Sequence, residues 1–203
     1  MGTLLRNADG LGAVTSINHP AIHSGEMCMG CGWTLASSLD MHLMTALEAV
    51  NGGSEQYGIS DIPFWNKALD SGYRLTGIGG SDNHRPMQPL EQIGSVGSPT
   101  TVVYAAELST PAILAGVRAG HVFIDLAGTR DRLLEVTARA GDQVAHMGDL
   151  LNAGANVSTA DQTFPWSWVS DGRRHWFRAE VLSPNGKPWL LGNPLYINWN
   201  ISN

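Results

Sequence analysis

Short apolar runs alternate with helical patterns through the first 130 residues, and this alternation limits the fold more than any other feature. The apolar runs predict strands at residues 11–17, 46–50, 74–78, 100–106 and 122–126. The helical patterns cover residues 35–44, 62–70 and 110–119. Strands separated by helices predict parallel pairing through crossover connections, so this region is predicted as α/β.

After residue 130 the pattern changes to strands without intervening helices. Strands are predicted at residues 133–138, 174–182, 188–191 and 195–199, and Ser183-Pro184-Asn185-Gly186 is typical of a hairpin turn. The sequence therefore predicts two regions: residues 1–130 as a β/α domain, and residues 131–203 as a small antiparallel β-rich extension packed on it.

Composition and charge exclude several classes of protein. Hydrophobic residues make up 43% of the chain and charged residues 15%, which is typical of a globular protein rather than a disordered one. A net charge of -6 argues against nucleic acid as a partner, because phosphate backbones require clustered Lys and Arg. No apolar run is long enough for a membrane span, and residues 1–10 lack a secretory pattern, so we expect a cytoplasmic protein.

Polar side chains follow the predicted parallel strands at the positions where α/β proteins carry their active sites. His19 follows the first strand, Glu48 lies in the second, and Asp82 and His84 follow Gly79-Gly80-Ser81 after the third. Imidazole nitrogens and carboxylate oxygens that converge on one point can hold a metal ion. The alternative is structural: an Asp that caps a turn, loop or surface histidines, and a solvated glutamate.

A second group of metal-ligating residue types lies close to His19 in the sequence. His23, Cys28 and Cys31 follow it in HPAIHSGEMCMGCGW, and Cys-x-x-Cys is a common half of a zinc site. The same two cysteines are also consistent with two inert thiols, which the glycine-rich loop favours, or with a redox pair. The sequence leaves these three interpretations open.

The order and spacing of several segments resemble the C-terminal half of a PHP (polymerase and histidinol phosphatase) metallohydrolase. The segments are INHP, LEAVNG, GYRLTGIGGSDNH, GSPTTVVY, AILAGVRAGHVFI, MGDLL and RAEVLSPNGKPWLLGNPLYI. The closest branch looks like the carbaryl-hydrolase-type metal-dependent phosphoesterases. The resemblance implies a distorted β/α barrel that binds two or three metal ions, commonly zinc or manganese and also iron. It implies that His19 is the third-motif ligand and that Asp82 and His84 form the final Asp-x-His pair.

The chain departs from that family at its N-terminus, because no His-x-His motif occurs in it. The expected fold is therefore a partial PHP-type barrel, the C-terminal half, followed by the antiparallel β region. Half of a parallel barrel exposes strand edges and apolar faces. We therefore expect a homo-oligomer that completes the truncated barrel.

These observations predict a metal-dependent hydrolase that acts on a small-molecule ester. A phosphodiester or phosphotriester is favoured, and an arylester or carbamate fits the same chemistry. Asp82, His84, Glu48 and Arg85 are the predicted catalytic residues, with Arg85 stabilising charge on phosphoryl oxygens. The predicted metal ligands are His19, Asp82, His84, His23, Cys28 and Cys31. Two other classes stay open: a non-catalytic remnant that acts as a binding or assembly module, and a redox protein that uses the two cysteines.

Overall fold

The computed structural model describes residues 2–26, 28–35, 41–56, 58–92, 94–129, 131–134, 136–140, 143–146 and 167–199. Within these ranges the protein is mixed α/β, and none of its sheets closes on itself. The helices are α1 Gly2–Gly10, α2 Gly52–Gln56, α3 Ile62–Asp70 and α4 Thr110–Ala119, with a 3-10 turn at Met41–Leu43. The strands are β1 Ser16–Ile17, β2 Ala46–Asn51, β3 Thr76–Gly80, β4 Thr100–Val103, β5 Val122–Asp125, β6 Thr137–Ala140, β7 Gln143–His146, β8 His175–Phe177, β9 Glu180–Leu182, β10 Pro188–Gly192 and β11 Leu195–Ile197.

The first sheet is parallel, as the sequence predicts, with strand order β1-β2-β3. Every residue of β2 is buried, as expected for a central strand covered on both faces. Helix α3 packs on it through Trp65, Ala68 and Leu69. Because the three strands run parallel, their carboxyl ends lie at the same edge of the sheet, and His19, Glu48 and Asp82 lie toward this edge.

Helices α3 and α4 confirm the predicted helices at residues 62–70 and 110–119. Each has a proline in its first turn, which suits a position where the missing N–H costs no hydrogen bond. Ser109 caps α4 by accepting a hydrogen bond from the Ala112 N–H at 3.3 Å, and Gly120 ends the helix in the left-handed region at φ 74°.

The second sheet has strand order β4-β5-β10-β9, and all its pairings are antiparallel. The prediction of parallel pairing is therefore wrong for β4 and β5. Helix α4 returns the chain to the end of β4 that it left, and the Tyr104 N–H donates to the His121 carbonyl at 2.9 Å. Strand β5 starts beside the end of β4 and runs back along it. The predicted extension, residues 131–203, supplies β9 and β10 to this sheet.

The N-terminal segment also differs from its prediction, because only Ser16–Ile17 of residues 11–17 forms a strand. The residues before it end helix α1 instead: the Leu11 N–H donates to the Asn7 carbonyl at 3.1 Å and the Ala13 N–H to the Ala8 carbonyl at 2.9 Å. Gly12 makes this turn with φ 68°. Of the predicted helix at 35–44, residues 36–40 lie outside the described residues, and Met41–Leu43 is the 3-10 turn.

Two polar side chains join the first sheet to the second along the outer edge of β3. The Asn193 amide accepts from the Gly77 N–H at 2.7 Å and donates to the carbonyls of Gly77 and Val122 at 2.9 and 2.8 Å. The Thr101 hydroxyl accepts from the Gly79 N–H at 2.8 Å and donates to the Gly79 carbonyl at 2.6 Å. These bonds satisfy backbone groups that a fourth strand of the first sheet would otherwise pair. They fix β3, and with it the loop that carries Asp82.

No helix among the described residues combines the length and apolar character that crossing a bilayer requires.

Candidate metal centre

His19 and Asp82 occupy strained backbone positions just after β1 and β3. Their φ angles are 35° and 49°, in the left-handed region that non-glycine residues seldom adopt. Such a conformation costs on the order of 1–3 kcal/mol and persists only where surrounding contacts hold it. The two residues are thus held at the carboxyl edge of the parallel sheet despite an unfavourable backbone.

Glu48 connects the ends of the first two strands from inside the protein. Its side chain is buried, and Oε2 accepts hydrogen bonds from the His19 backbone N–H at 2.8 Å and from Asn51 Nδ2 at 3.0 Å. Gly80 lies against the other oxygen, because a Cβ at Gly80 would collide with Glu48 Oε1. The carboxylate therefore needs glycine at the end of β3.

Asp82 approaches the same region from the third strand. A Cβ built on Gly53 would lie 2.9 Å from Asp82 Oδ2 and 3.0 Å from Asn51 Oδ1, so both oxygens lie close to Gly53. The other carboxylate oxygen of Asp82 pairs with His84 Nε2 at 3.2 Å. Asp82 and His84 form a pair that opens to solvent, since the His84 side chain is 85% exposed.

Burial raises the pKa of Glu48 above its ordinary value of 4.5. Hydrogen bonds from Asn51 and from the His19 N–H oppose this shift, as does positive charge on His19. The Asp82 carboxylate adds to the rise, because a nearby like charge disfavours the charged form of Glu48. The net direction is upward.

We expect the metal-free protein to lose stability as the pH rises from 4.5 through the raised pKa of Glu48. In this window the unfolded chain releases the Glu48 proton while the folded chain keeps it, so ionisation favours unfolding. Urea unfolding at a series of pH values, in the presence of a chelator, measures this slope. Glu48→Gln should remove that component of the slope, whereas Glu91→Gln, on the exposed surface, should keep it. An unchanged slope in Glu48→Gln would contradict the prediction.

His19 also faces two cysteine sulfurs. Its Nδ1 lies 3.2 Å from Cys31 Sγ and 3.9 Å from Cys28 Sγ. In the part of the chain that the structure describes, this is the one group of three His, Cys, Asp or Glu residues whose ligand atoms all lie within 4.8 Å of one another. Cys28 and Cys31 are joined by a disulfide, with Cα atoms 5.6 Å apart. The group could bind a metal ion, and the disulfide occupies both of its sulfurs.

The remaining predicted site residues lie around this centre without completing it. His19, Asp82 and His84 do not form a metal-ligand group of the spacing given above, within the described ranges. His23 is exposed and lies outside the group. Arg85 lines a separate cleft of about 330 Å³ together with Met87, Gln88, Pro89 and Gln92.

Asn51 is the site residue that the sequence reasoning missed. Its amide nitrogen donates to Glu48 directly, and its amide oxygen lies close to Gly53, as does a carboxylate oxygen of Asp82. The sequence contains a signal for it, because Asn51 lies next to a pair of glycines, Gly52-Gly53, at the end of a strand. Asp82 likewise lies close to a pair of glycines, Gly79-Gly80.

Comparisons with protein-family models, with curated proteins and with solved structures gave no significant match. The resemblance to PHP metallohydrolases therefore stays a prediction from the sequence segments.

Proposed function

We propose that this protein is a metal-dependent hydrolase that cleaves a small-molecule ester with a metal-activated water. The observation that carries the proposal is the His19, Cys28 and Cys31 group at the carboxyl edge of a parallel sheet, beside two carboxylates. Glu48 contacts the backbone of His19 and interacts with Asp82, so the ligand group and the carboxylates belong to one site.

Three protein ligands suit catalysis better than a purely structural role. Structural zinc sites are closed by four protein ligands, whereas catalytic sites use three and leave a position for water. A divalent ion bound there lowers the pKa of its water toward 7 and polarises the ester oxygen. The sequence resemblance favours zinc or manganese as the bound ion and also allows iron.

The surrounding residues have separate roles in this proposal. Glu48 orients His19 through its backbone N–H, and buried Asn51 holds Glu48 in place. Asp82 and His84 form the solvent-facing pair that accepts and releases a proton. Arg85 follows His84 in the sequence but lines a separate cleft, so the stabilisation of phosphoryl charge that the sequence predicts for it is not part of the proposed site. A phosphodiester or phosphotriester is the preferred substrate, with arylesters and carbamates as alternatives.

We expect Asp82→Asn to lower kcat/KM for ester hydrolysis about 100-fold or more, because general acid–base groups contribute about 10²–10⁴. The measurement uses the reduced, metal-loaded chain with phosphodiester, phosphotriester and arylester model substrates. Asp9→Asn, a matched change on exposed helix α1, should leave the rate unchanged. A metal-loaded chain that hydrolyses none of these esters would support the alternative, a non-catalytic binding or assembly module. Self-association stays part of the proposal.

A further inference from the structure

The disulfide and a metal ion would compete for the same two sulfur atoms. A thiolate is the form of cysteine that ligates metals, and a disulfide sulfur carries no such charge. We propose that His19, Cys28 and Cys31 form a zinc site that is open only when both cysteines are reduced, so that oxidation of the pair shuts off metal binding. This inference deepens the proposed hydrolase, because it concerns the same ligand group.

The spacing of the imidazole from the sulfurs is within a few tenths of an ångström, roughly, of that in a zinc site. With Zn–S of about 2.3 Å and Zn–N of about 2.0–2.1 Å, tetrahedral ligand atoms lie roughly 3.5–3.8 Å apart. His19 Nδ1 lies 3.2 Å from Cys31 Sγ and 3.9 Å from Cys28 Sγ, on either side of that range. The main change required is in the sulfur-to-sulfur separation, which must open from a covalent bond to about 3.8 Å.

The loop that carries the cysteines allows this opening and gives access to a reductant. Gly30 and Gly32 take φ angles of 90° and 75°, so two hinge positions of low steric cost lie next to Cys31. Met29, between the cysteines, is 91% exposed. Cys28 is half-buried and Cys31 is buried, so a reductant reaches the Cys28 sulfur more readily.

The chemistry of the ligand set selects the metal. Thiolates are soft ligands that suit zinc, whereas manganese and magnesium prefer carboxylate, carbonyl and water oxygens. Two thiolates and one imidazole match the Cys₂His set that catalytic zinc uses with one position open. The His19 tautomer that carries its proton on Nε2 leaves the Nδ1 lone pair for the ion.

The redox step balances with a dithiol as the reductant. Two electrons and two protons pass from the dithiol to the Cys28–Cys31 bond, which breaks to give two thiols, and the dithiol becomes a disulfide. Zinc binding then releases the two thiol protons to solvent as the sulfur–zinc bonds form. A disulfide oxidant reverses the first step and releases the ion.

The test measures zinc content in the two redox states of the same chain. One sample is reduced with a dithiol and another is oxidised with a small disulfide; both are desalted without oxygen, incubated with zinc and desalted again. We expect about one zinc per reduced chain and at least tenfold less per oxidised chain. His19→Ala and Cys28→Ser should each lose zinc, whereas His23→Ala, a neighbouring histidine outside the group, should keep it.

Equal zinc in both redox states, or undiminished zinc in Cys28→Ser, would overturn the inference. If circular dichroism shows that Cys28→Ser has lost its fold, the reduced wild-type chain is alkylated at both thiols instead and should bind no zinc. Redox-dependent zinc without any ester hydrolysis would leave this inference standing and remove the hydrolase proposal. Metal-dependent hydrolysis that survives alkylation would overturn this inference and leave the hydrolase proposal standing.

Discussion

Replacing Gly77 with alanine is expected to lower the free energy of unfolding by about 3 kcal/mol or more, the upper range for overpacking a core. A Cβ on Gly77 would lie 2.5 Å from Cζ2 and 2.8 Å from Cζ3 of Trp65. Trp65 is fully buried, and its Nε1 donates to the Leu75 carbonyl at 3.0 Å, so the ring has nowhere to move without losing that bond. The strand or the helix must shift instead.

Urea denaturation measures this effect through the midpoint of unfolding at constant m-value. Gly10→Ala is the matched control, because a Cβ there has no atom within 4 Å and the residue ends an exposed helix. The control should change the free energy of unfolding by less than about 1 kcal/mol, in either direction. A Gly77→Ala protein as stable as the control would show that Trp65 does not close off this side of β3.

Replacing Asn193 with alanine is expected to cost about 3–5 kcal/mol. The change removes three hydrogen bonds and leaves the N–H and carbonyl of Gly77 and the carbonyl of Val122 without this partner. Each buried polar group left unsatisfied costs about 1–3 kcal/mol. Asn193 is 2% exposed, so water cannot readily replace the amide.

Asn7→Ala, on the exposed face of α1, is the control for this substitution and should have little effect on stability. Hydrogen exchange gives a second measurement that reports on position. The amide of Gly77 should exchange faster in Asn193→Ala. The exchange rate of the Leu69 amide, in helix α3, should rise only by the amount that the loss of global stability explains. Full protection of Gly77 in the variant would contradict the role assigned to Asn193.

Local chemistry explains which parts of the fold the sequence predicts. Pro63 and Pro111 at helix starts, and Gly120 at a helix end, act within one turn, so α3 and α4 follow their predictions. The antiparallel pairing of β4 and β5 depends on where α4 returns the chain. That position is set by long-range contacts such as Tyr104 with His121, which no periodicity reveals.

The candidate metal centre is likewise predicted where local sequence determines it, and not where long-range contacts do. Polar residues in or just after the predicted parallel strands identify His19, Glu48 and Asp82 as neighbours of one sheet edge. Which atoms converge depends on side-chain direction. His84 turns toward solvent with Asp82, while the loop after β1 folds the two cysteines back onto His19. Spacing along the chain points to the two cysteines beside His19, but it does not reveal the direction of the His84 side chain.

The side chains of Asn193 and Thr101 along β3 also limit how two molecules can join. An incoming strand from a second molecule needs free N–H and carbonyl groups, and those of Gly77 and Gly79 already bond within the chain. β-Augmentation at this edge would first have to displace an amide and a hydroxyl from their backbone partners. A dimer built by shared sheet formation is therefore expected to use a different edge.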